Sequence, residues 1–180
     1  MEGLVSRVQI DICDGVFGLE KTWLPYQEEL LPEGFEYEFD CMVVDWRKYI
    51  PRVIDLGAKR IIAHIDTFEE GELQELIAMV KSEKVILGLS VSNDKDIAHF
   101  IKMVHLVMGE YTKIFVQVMG IKRIGAQRQP FDEGAIERIE QIKKECRNIE
   151  IQVDGSMNPE TMVKVKNAGA VCAVVGSYLF

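Results

Sequence analysis

The 180-residue chain lacks several features that would assign it to a class at once. No apolar run approaches the roughly 20 residues that span a bilayer, so no membrane-spanning helix is expected. The start, MEGLVSRVQ, has neither the basic segment nor the apolar stretch of a signal peptide, which favours a cytoplasmic protein. No segment is low in complexity, and 48% of the residues are hydrophobic, as in a globular domain with a sizeable core.

Positive charge is scarce. The chain has 21 Lys and Arg against 29 Asp and Glu, which gives a formal net charge of −8. No basic stripe is present, and this disfavours binding to nucleic acid or to an anionic membrane. A phosphorylated small molecule stays compatible with this balance, because backbone N–H groups bind phosphate without any net positive charge.

Cysteine pairs are missing as well. The four cysteines stand singly along the chain, and no CxxC pair gives the spacing of a zinc site. Three of them lie in apolar, strand-like runs, and we expect reduced and partly buried thiols. The four are Cys13, Cys41, Cys146 and Cys172.

The sequence instead contains a regular alternation of strand-like runs and helical patterns with a period near 3.6. Strands are predicted at 7–12, 36–42, 60–65, 85–90, 114–119, 149–154 and 171–175. Helices are predicted at 46–56, 69–82, 95–108, 132–146 and 159–168. Asn158 before Pro159 is a good helix N-cap, and Gly57 and Gly169 close helices. This alternation indicates a parallel sheet with right-handed crossovers, either a barrel or an open doubly wound sheet.

The polar residues within the strands decide between these two architectures. Three strands end in the same pattern, in which two polar residues flank an apolar one: QID (9–11), EFD (38–40) and QVD (152–154). Side chains alternate across a strand, so the polar pair of each trio shares one face. Strands of an open parallel sheet are apolar on both faces, whereas polar groups at the ends of parallel strands fit the mouth of a (β/α) barrel. We therefore predict that Asp11 points into the mouth, and that Ile10 and Ile12 face the helices.

Single acidic residues also have simpler interpretations. Asp14 precedes Gly15 and could form the turn that follows the first strand instead of belonging to a site. Asp11, Asp40 and Asp154 could each cap a helix or lie in a loop. The repetition of the trio pattern favours their convergence.

Five segments resemble ribulose-phosphate 3-epimerases: QIDICDGVF, FDCMVVDWRKYIPRVIDLGAKRIIAHID, PFDEGAIERIEQIK, VDGSMNPETMVKVKNAGA and VVGSYLF. They follow the family's order over nearly the whole chain. The resemblance implies a TIM-type (β/α)8 barrel, here a single domain over residues 1–180. Against the family pattern the chain starts just before strand two and stops at strand eight. We therefore expect a truncated barrel without strand 1, helix 1 and the last helix, or one completed by a partner subunit, and a homo-oligomer.

The resemblance also implies a divalent metal held by two histidines and two aspartates at the mouth. In the family the aspartates double as the acid and base that move a proton at C3 of a ketopentose phosphate, and they fall on Asp11 and Asp154. The histidine positions fall on Gln9 and Asp40. The expected metal ligands are thus Asp11, Asp40 and Asp154. Together with Gln9 they form an all-oxygen set that suits Mg²⁺ or Mn²⁺ better than Zn²⁺, with Fe²⁺ also open.

A site without metal is the alternative. Three crowded carboxylates would then repel one another, and the pKa of at least one should rise. Hydrogen-bond donors would then have to stabilise the enediolate that forms when a proton leaves C3, and Gln9 offers one such donor.

The family grips the substrate phosphate with glycine-rich loops after its last three strands. Those positions fall on Gly125, Ala126 and Gln127, on Gly155 and Ser156, and on Gly176 and Ser177. Lys122, Arg123 and Arg128 add positive charge that the family pattern does not require. Gln9, Met42, Met119 and His64, the last matching a strand histidine that is not a metal ligand, complete the predicted substrate contacts.

The leading hypothesis is a divergent isomerase of pentose phosphate metabolism that epimerises ribulose 5-phosphate to xylulose 5-phosphate. One alternative is a catalytically silent barrel that binds a phosphorylated metabolite or a partner. Another is a different phosphate-binding barrel enzyme, such as a hexulose-phosphate synthase or an isomerase of amino-acid biosynthesis. The D-x-K-x-x-D signature of the synthase group is interrupted, since Met42 stands where lysine belongs between Asp40 and Asp45.

Overall fold

The computed structural model describes residues 5–25, 30–69, 71–126 and 128–179. Within them, seven parallel strands pair in chain order and form a nearly closed barrel with helices between successive strands. The strands are β1 (Arg7–Cys13), β2 (Glu36–Met42), β3 (Arg60–His64), β4 (Ile86–Ser90), β5 (Ile114–Met119), β6 (Glu150–Asp154) and β7 (Cys172–Val174). The helices are α1 (Trp46–Asp55), α2 (Glu72–Ser82), α3 (Ile97–Glu110), α4 (Gly134–Glu145) and α5 (Pro159–Ala168). The prediction of a TIM-type barrel is confirmed.

Every predicted strand and helix is present, and the observed ends fall close to the predicted ones. The caps explain this agreement. Asn158 accepts hydrogen bonds from the backbone N–H groups of Glu160 and Thr161 and caps α5, with Pro159 as its first residue. Gly57, with φ of 94°, takes the left-handed conformation that ends α1. The largest deviation is at α2, which begins at Glu72; residue 70 of the helix predicted at 69–82 lies outside the described residues.

The main core lies between the sheet and the helices. Ile12, Phe39 and Ile151 point outward from their strands and are fully buried against helix residues such as Ile50 and Ile139. Ile10 packs against the same core, so both isoleucines of β1 face the helices as predicted. Burial of this continuous apolar layer is the main force that stabilises the barrel.

The barrel interior is polar to an unusual degree. The inward positions of the predicted trios carry their polar pairs, and the register sets Gln9 beside Glu38 and Asp11 beside Asp40. At the amino-terminal end of the strands, buried Glu38 pairs with Arg60, and Gln152 hydrogen-bonds the same carboxylate. These three residues are called the barrel floor below. Above them lie Asp40, His64 and Gln117, which are also buried.

Two further expectations can be compared with the described residues. The four cysteines are free thiols, three of them buried, as expected. None of the described helices is both long and apolar enough to cross a membrane.

Candidate functional site

Three carboxylates from distant parts of the chain meet inside the mouth of the barrel. Asp11 on β1, Asp40 on β2 and Asp154 at the end of β6 each offer an oxygen, and these atoms all lie within 4.8 Å of one another. They are called the carboxylate cluster below. Asp40 is fully buried, while Asp11 and Asp154 reach the pocket above it. The strand alternation that predicted inward-facing acids produces this convergence.

Amide and imidazole groups hold the cluster in place. Gln9 lies between two of its members, and its Nε2 donates to Asp11 Oδ1 at 2.9 Å and to Asp154 Oδ2 at 3.0 Å. Asp40 has other partners: its Oδ1 lies 2.7 Å from His64 Nε2, and its Oδ2 accepts from Gln117 Nε2 at 2.7 Å. Both oxygens of Asp40 are thus hydrogen-bonded, as a buried polar group requires.

Loss of hydration and mutual repulsion raise the pKa of the two carboxyls that reach the pocket. The pKa of Asp11 rises from 3.8 to about 6, first because protein atoms surround the carboxyl and then because Asp40 is close. Asp11 is exposed in the structure and lines the pocket. The pKa of Asp154 rises well above its usual range through burial and then through Asp11 and Asp40. Burial and mutual repulsion thus both oppose the simultaneous ionisation of this pair.

A pocket of about 390 Å³ lies above the cluster. Ten of the predicted site residues line it: Asp11, Met42, Met119, Gly125, Ala126, Asp154, Gly155, Ser156, Gly176 and Ser177. Gln9, Asp40 and His64 lie beneath the pocket, and His64 is fully buried, with its ring 5.3 Å from that of Phe17. Gln127 lies outside the described residues. The structure thus brings the predicted acids and the predicted phosphate loops to one cavity.

The loop after β5 is folded around one glutamine side chain. Gln129 Nε2 donates to the carbonyls of Arg123 and Ala126 at 2.6 and 2.7 Å, and its Oε1 accepts from the N–H of Arg123. The hydroxyl of Ser156 donates to the carbonyl of Gln129 and so joins this loop to the one after β6. Arg128, with φ of 57°, lines the pocket with its positive charge, whereas Arg123 and Lys122 are not among the lining residues.

The sequence did not reveal the role of the segment after β1. Residues 14–22 contact the β5 loop, where the N–H of Leu19 donates to the carbonyl of Ile124 at 3.2 Å. Glu20 and Thr22 line the pocket, and the Thr22 hydroxyl donates to the carbonyl of Asp11 at 2.8 Å. These contacts are made by a loop segment, and no periodic pattern predicts them.

Asp14 forms the turn that was one of its two interpretations. Its Oδ1 accepts from the N–H groups of Val16 and Phe17, and its Oδ2 accepts from the N–H of Val44 at 2.8 Å. One side chain thus joins the loops after β1 and β2. Asp14 is not among the pocket-lining residues.

Whether the cluster suits a metal ion depends on orientation as well as on spacing. Three carboxylate oxygens within 4.8 Å could be bridged by one cation. At the two positions where the family carries histidines, however, the donors are turned away: Gln9 presents its N–H2 group, and both oxygens of Asp40 already accept hydrogen bonds. An N–H2 group cannot ligate a cation. The spacing therefore fits a metal, but the arrangement around it does not.

Comparison with known proteins gives a consistent result. The model of the "Ribulose-phosphate 3 epimerase family" matches residues 5–180. The chain is 28% identical over 176 residues to the cytoplasmic isoform of ribulose-phosphate 3-epimerase from Oryza sativa subsp. japonica, covering 96% of this chain and 75% of that protein. It is 23% identical to the ribulose-phosphate 3-epimerase of Schizosaccharomyces pombe over 178 residues, covering 96% and 74%.

Solved structures are similar in fold alone. The crystal structure of orotidine 5'-monophosphate decarboxylase from Sulfolobus solfataricus superposes with a TM-score of 0.56 at 19% identity, covering 78% of this chain and 63% of that one. A native KDPGal structure gives a TM-score of 0.54 at 12% identity, covering 82% and 60%. Both identities are too low to carry an activity across.

Proposed function

Because the chain belongs to the ribulose-phosphate 3-epimerase family, we propose that it is a sugar-phosphate epimerase that inverts a carbon next to a carbonyl, with ribulose 5-phosphate as substrate. This would be a reaction of pentose phosphate metabolism. The observation that carries the proposal is the meeting of Asp11 and Asp154 at the base of one pocket, with an amide between them.

The chemistry needs two carboxyl groups in opposite protonation states. One carboxylate takes the proton from the carbon next to the carbonyl and leaves an enediolate, and the other carboxyl returns a proton to the opposite face. The enzyme then holds as many protons as before. The raised pKa values of Asp11 and Asp154 support this division, because burial and the proximity of a second carboxyl help one of the two groups to keep its proton.

The remainder of the pocket suits a phosphorylated sugar. Its volume of about 390 Å³ falls within the range of small-molecule sites. Ser156, with φ of 57°, and Gly176 lie on loops whose backbone N–H groups can bind phosphate oxygens. Arg128 also lines the pocket and can supply a positive charge to a bound phosphate. The substrate would then lie with its phosphate toward Arg128 and its carbon chain toward Asp11 and Asp154.

The test is the exchange of the C3 hydrogen of ribulose 5-phosphate with solvent deuterium, followed by NMR together with the appearance of xylulose 5-phosphate. Asp11→Asn and Asp154→Asn should each lower turnover by about a thousandfold, because each removes one proton-transferring group. Asp55→Asn, at the exposed end of α1, is the matched control and should leave turnover unchanged. Undiminished activity in either cluster variant would end the assignment.

A binding protein without turnover is the second candidate. The replacement of both family histidines, by Gln9 and Asp40, favours it. Calorimetry with ribulose 5-phosphate, followed by the exchange assay with added Mn²⁺, Zn²⁺ and Fe²⁺, distinguishes the two functions. Binding of ribulose 5-phosphate without hydrogen exchange in the presence of each metal would establish that the protein binds the sugar phosphate without turning it over.

A further inference from the structure

We propose that the mouth of this barrel works without a metal ion, because hydrogen bonds from the barrel floor turn the N–H2 group of Gln9 toward Asp11 and Asp154. Gln9 is then a positioning residue for both carboxyls. The use made of those carboxyls rests on the proposed epimerase function, but the orientation of the amide does not.

The orientation begins at the barrel floor with groups that have only one hydrogen-bonding role. Arg60 can only donate, and it donates to the Glu38 carboxylate, which can only accept. Gln152 lies on the other side of that carboxylate, with its Nε2 2.6 Å from Glu38 Oε1. Its amide must therefore present nitrogen to Glu38. Gln152 Oε1 has no hydrogen-bond partner among the described residues, which is the cost of this orientation.

The same nitrogen then fixes two more glutamines. One of its two N–H groups donates to Glu38, and the other is shared between Gln117 Oε1 at 2.9 Å and Gln9 Oε1 at 3.3 Å. A flipped amide at either residue would set N–H2 against this N–H2. Each of these amides presents oxygen to the floor, so each presents N–H2 toward the mouth. The nitrogen end of the Gln117 amide supports the same orientation, because its Nε2 lies 2.7 Å from the buried carboxylate of Asp40.

This orientation conflicts with metal binding at the cluster. Gln9 Nε2 lies 2.9 and 3.0 Å from one oxygen each of Asp11 and Asp154. A divalent cation that bridged those two oxygens at about 2.0–2.6 Å from the side that Gln9 faces would be in contact with the N–H2 group. A flip of Gln9 would offer its oxygen to the cation, but it would also set its N–H2 against the N–H2 of Gln152. The amide therefore takes the role of a bridging cation by donating to both carboxyls.

Titration with Mn²⁺, read from the EPR signal of the free ion, tests the inference without any substrate. The wild-type protein should show no Mn²⁺ site of micromolar affinity. Gln9→Glu replaces the N–H2 group by an oxygen of nearly the same shape, and Mn²⁺ affinity should rise at least about tenfold. Gln141→Glu, on the exposed face of α4, adds the same charge elsewhere and should bind no better than wild type.

Two results would overturn the inference. One is tight Mn²⁺ binding by the wild-type protein that Asp40→Asn abolishes. The other is the absence of any gain in Gln9→Glu when its circular dichroism and melting temperature match those of the wild type. Neither result depends on turnover, so a failure of the exchange assay and a failure of this inference remain distinguishable. A wild type free of Mn²⁺ together with a gain in Gln9→Glu supports the inference even if no sugar is epimerised.

Discussion

Gln9 and Asp154 are 145 positions apart in the chain, yet Nε2 of the first donates to Oδ2 of the second across 3.0 Å inside the barrel. Their strands, β1 and β6, are not neighbours in the sheet. The contact therefore depends on the curvature of the whole sheet, which turns the inward faces of distant strands toward one another. The first and the last of the polar trios in the sequence thus form one site.

The raised pKa of Asp11 predicts a pH-dependent effect of Asp11→Asn on stability. The pKa is about 6 in the folded protein against 3.8 as reference, so the folded state binds more protons between these values. The contribution of Asp11 to the free energy of unfolding therefore becomes less favourable as pH rises from about 4 to about 6. The variant should melt above wild type at about pH 8, and the difference should vanish below about pH 4. Thermal melts of both proteins across this pH range measure the difference in melting temperature. An equal difference at all pH values would contradict the prediction.

Arg128 is predicted to recognise the substrate phosphate. Arg128→Gln should raise KM for ribulose 5-phosphate by about tenfold with a smaller change in kcat, because a charge-assisted bond to phosphate is lost. Arg123→Gln changes the same charge on the same loop outside the pocket and should have little effect. Steady-state kinetics at two ionic strengths measure both variants. Equal effects of the two would mean that only the net charge of the loop matters.

The ion pair of the barrel floor is predicted to be costly to break. Arg60→Met leaves the buried Glu38 carboxylate without its cation and also removes the contact of Arg60 with the Phe115 ring, 3.8 Å from its centroid. The free energy of unfolding should fall by about 3–5 kcal/mol. The exposed pair of Arg47 with Glu75 is the control, and Arg47→Met should cost much less than Arg60→Met. Urea denaturation compares them, and a similar loss in both variants would refute the distinction.

Gly125 is predicted to hold two loops at close distance. It has φ of 75°, and a Cβ added there would lie 2.9 Å from the backbone nitrogen of Leu19. Gly57 also has positive φ, at 94°, but nothing lies within 4 Å of its added Cβ. Gly57→Ala should therefore cost only the backbone strain of about 1–2 kcal/mol, while Gly125→Ala should cost this and also weaken sugar-phosphate binding by displacing residues 14–22. Melting temperature and KM separate the two effects, and an unchanged KM in Gly125→Ala would show that the loop contact does not shape the pocket.

The sequence predicted the elements and the direction of the strand side chains well, because both follow from local periodicity. The same alternation identified Asp11, Asp40 and Asp154, and it also applies to Gln117 within IFVQVM, where a polar residue interrupts an apolar strand. It could not predict that Gln129 would fold its own loop or that Thr22 would bond to the carbonyl of Asp11. Those contacts depend on the paths of loops, which carry no repeating pattern.

Gln152 directs its N–H2 group at Glu38, whereas Gln9 and Gln117 direct theirs toward the mouth. This arrangement has a consequence for protein engineering. The direction of the Gln9 amide is set by Arg60 and Glu38 at the far end of the strands, so a design that keeps this amide and turns its oxygen toward a metal would have to change that pair. Replacement of residues around the pocket alone would leave this polarity intact.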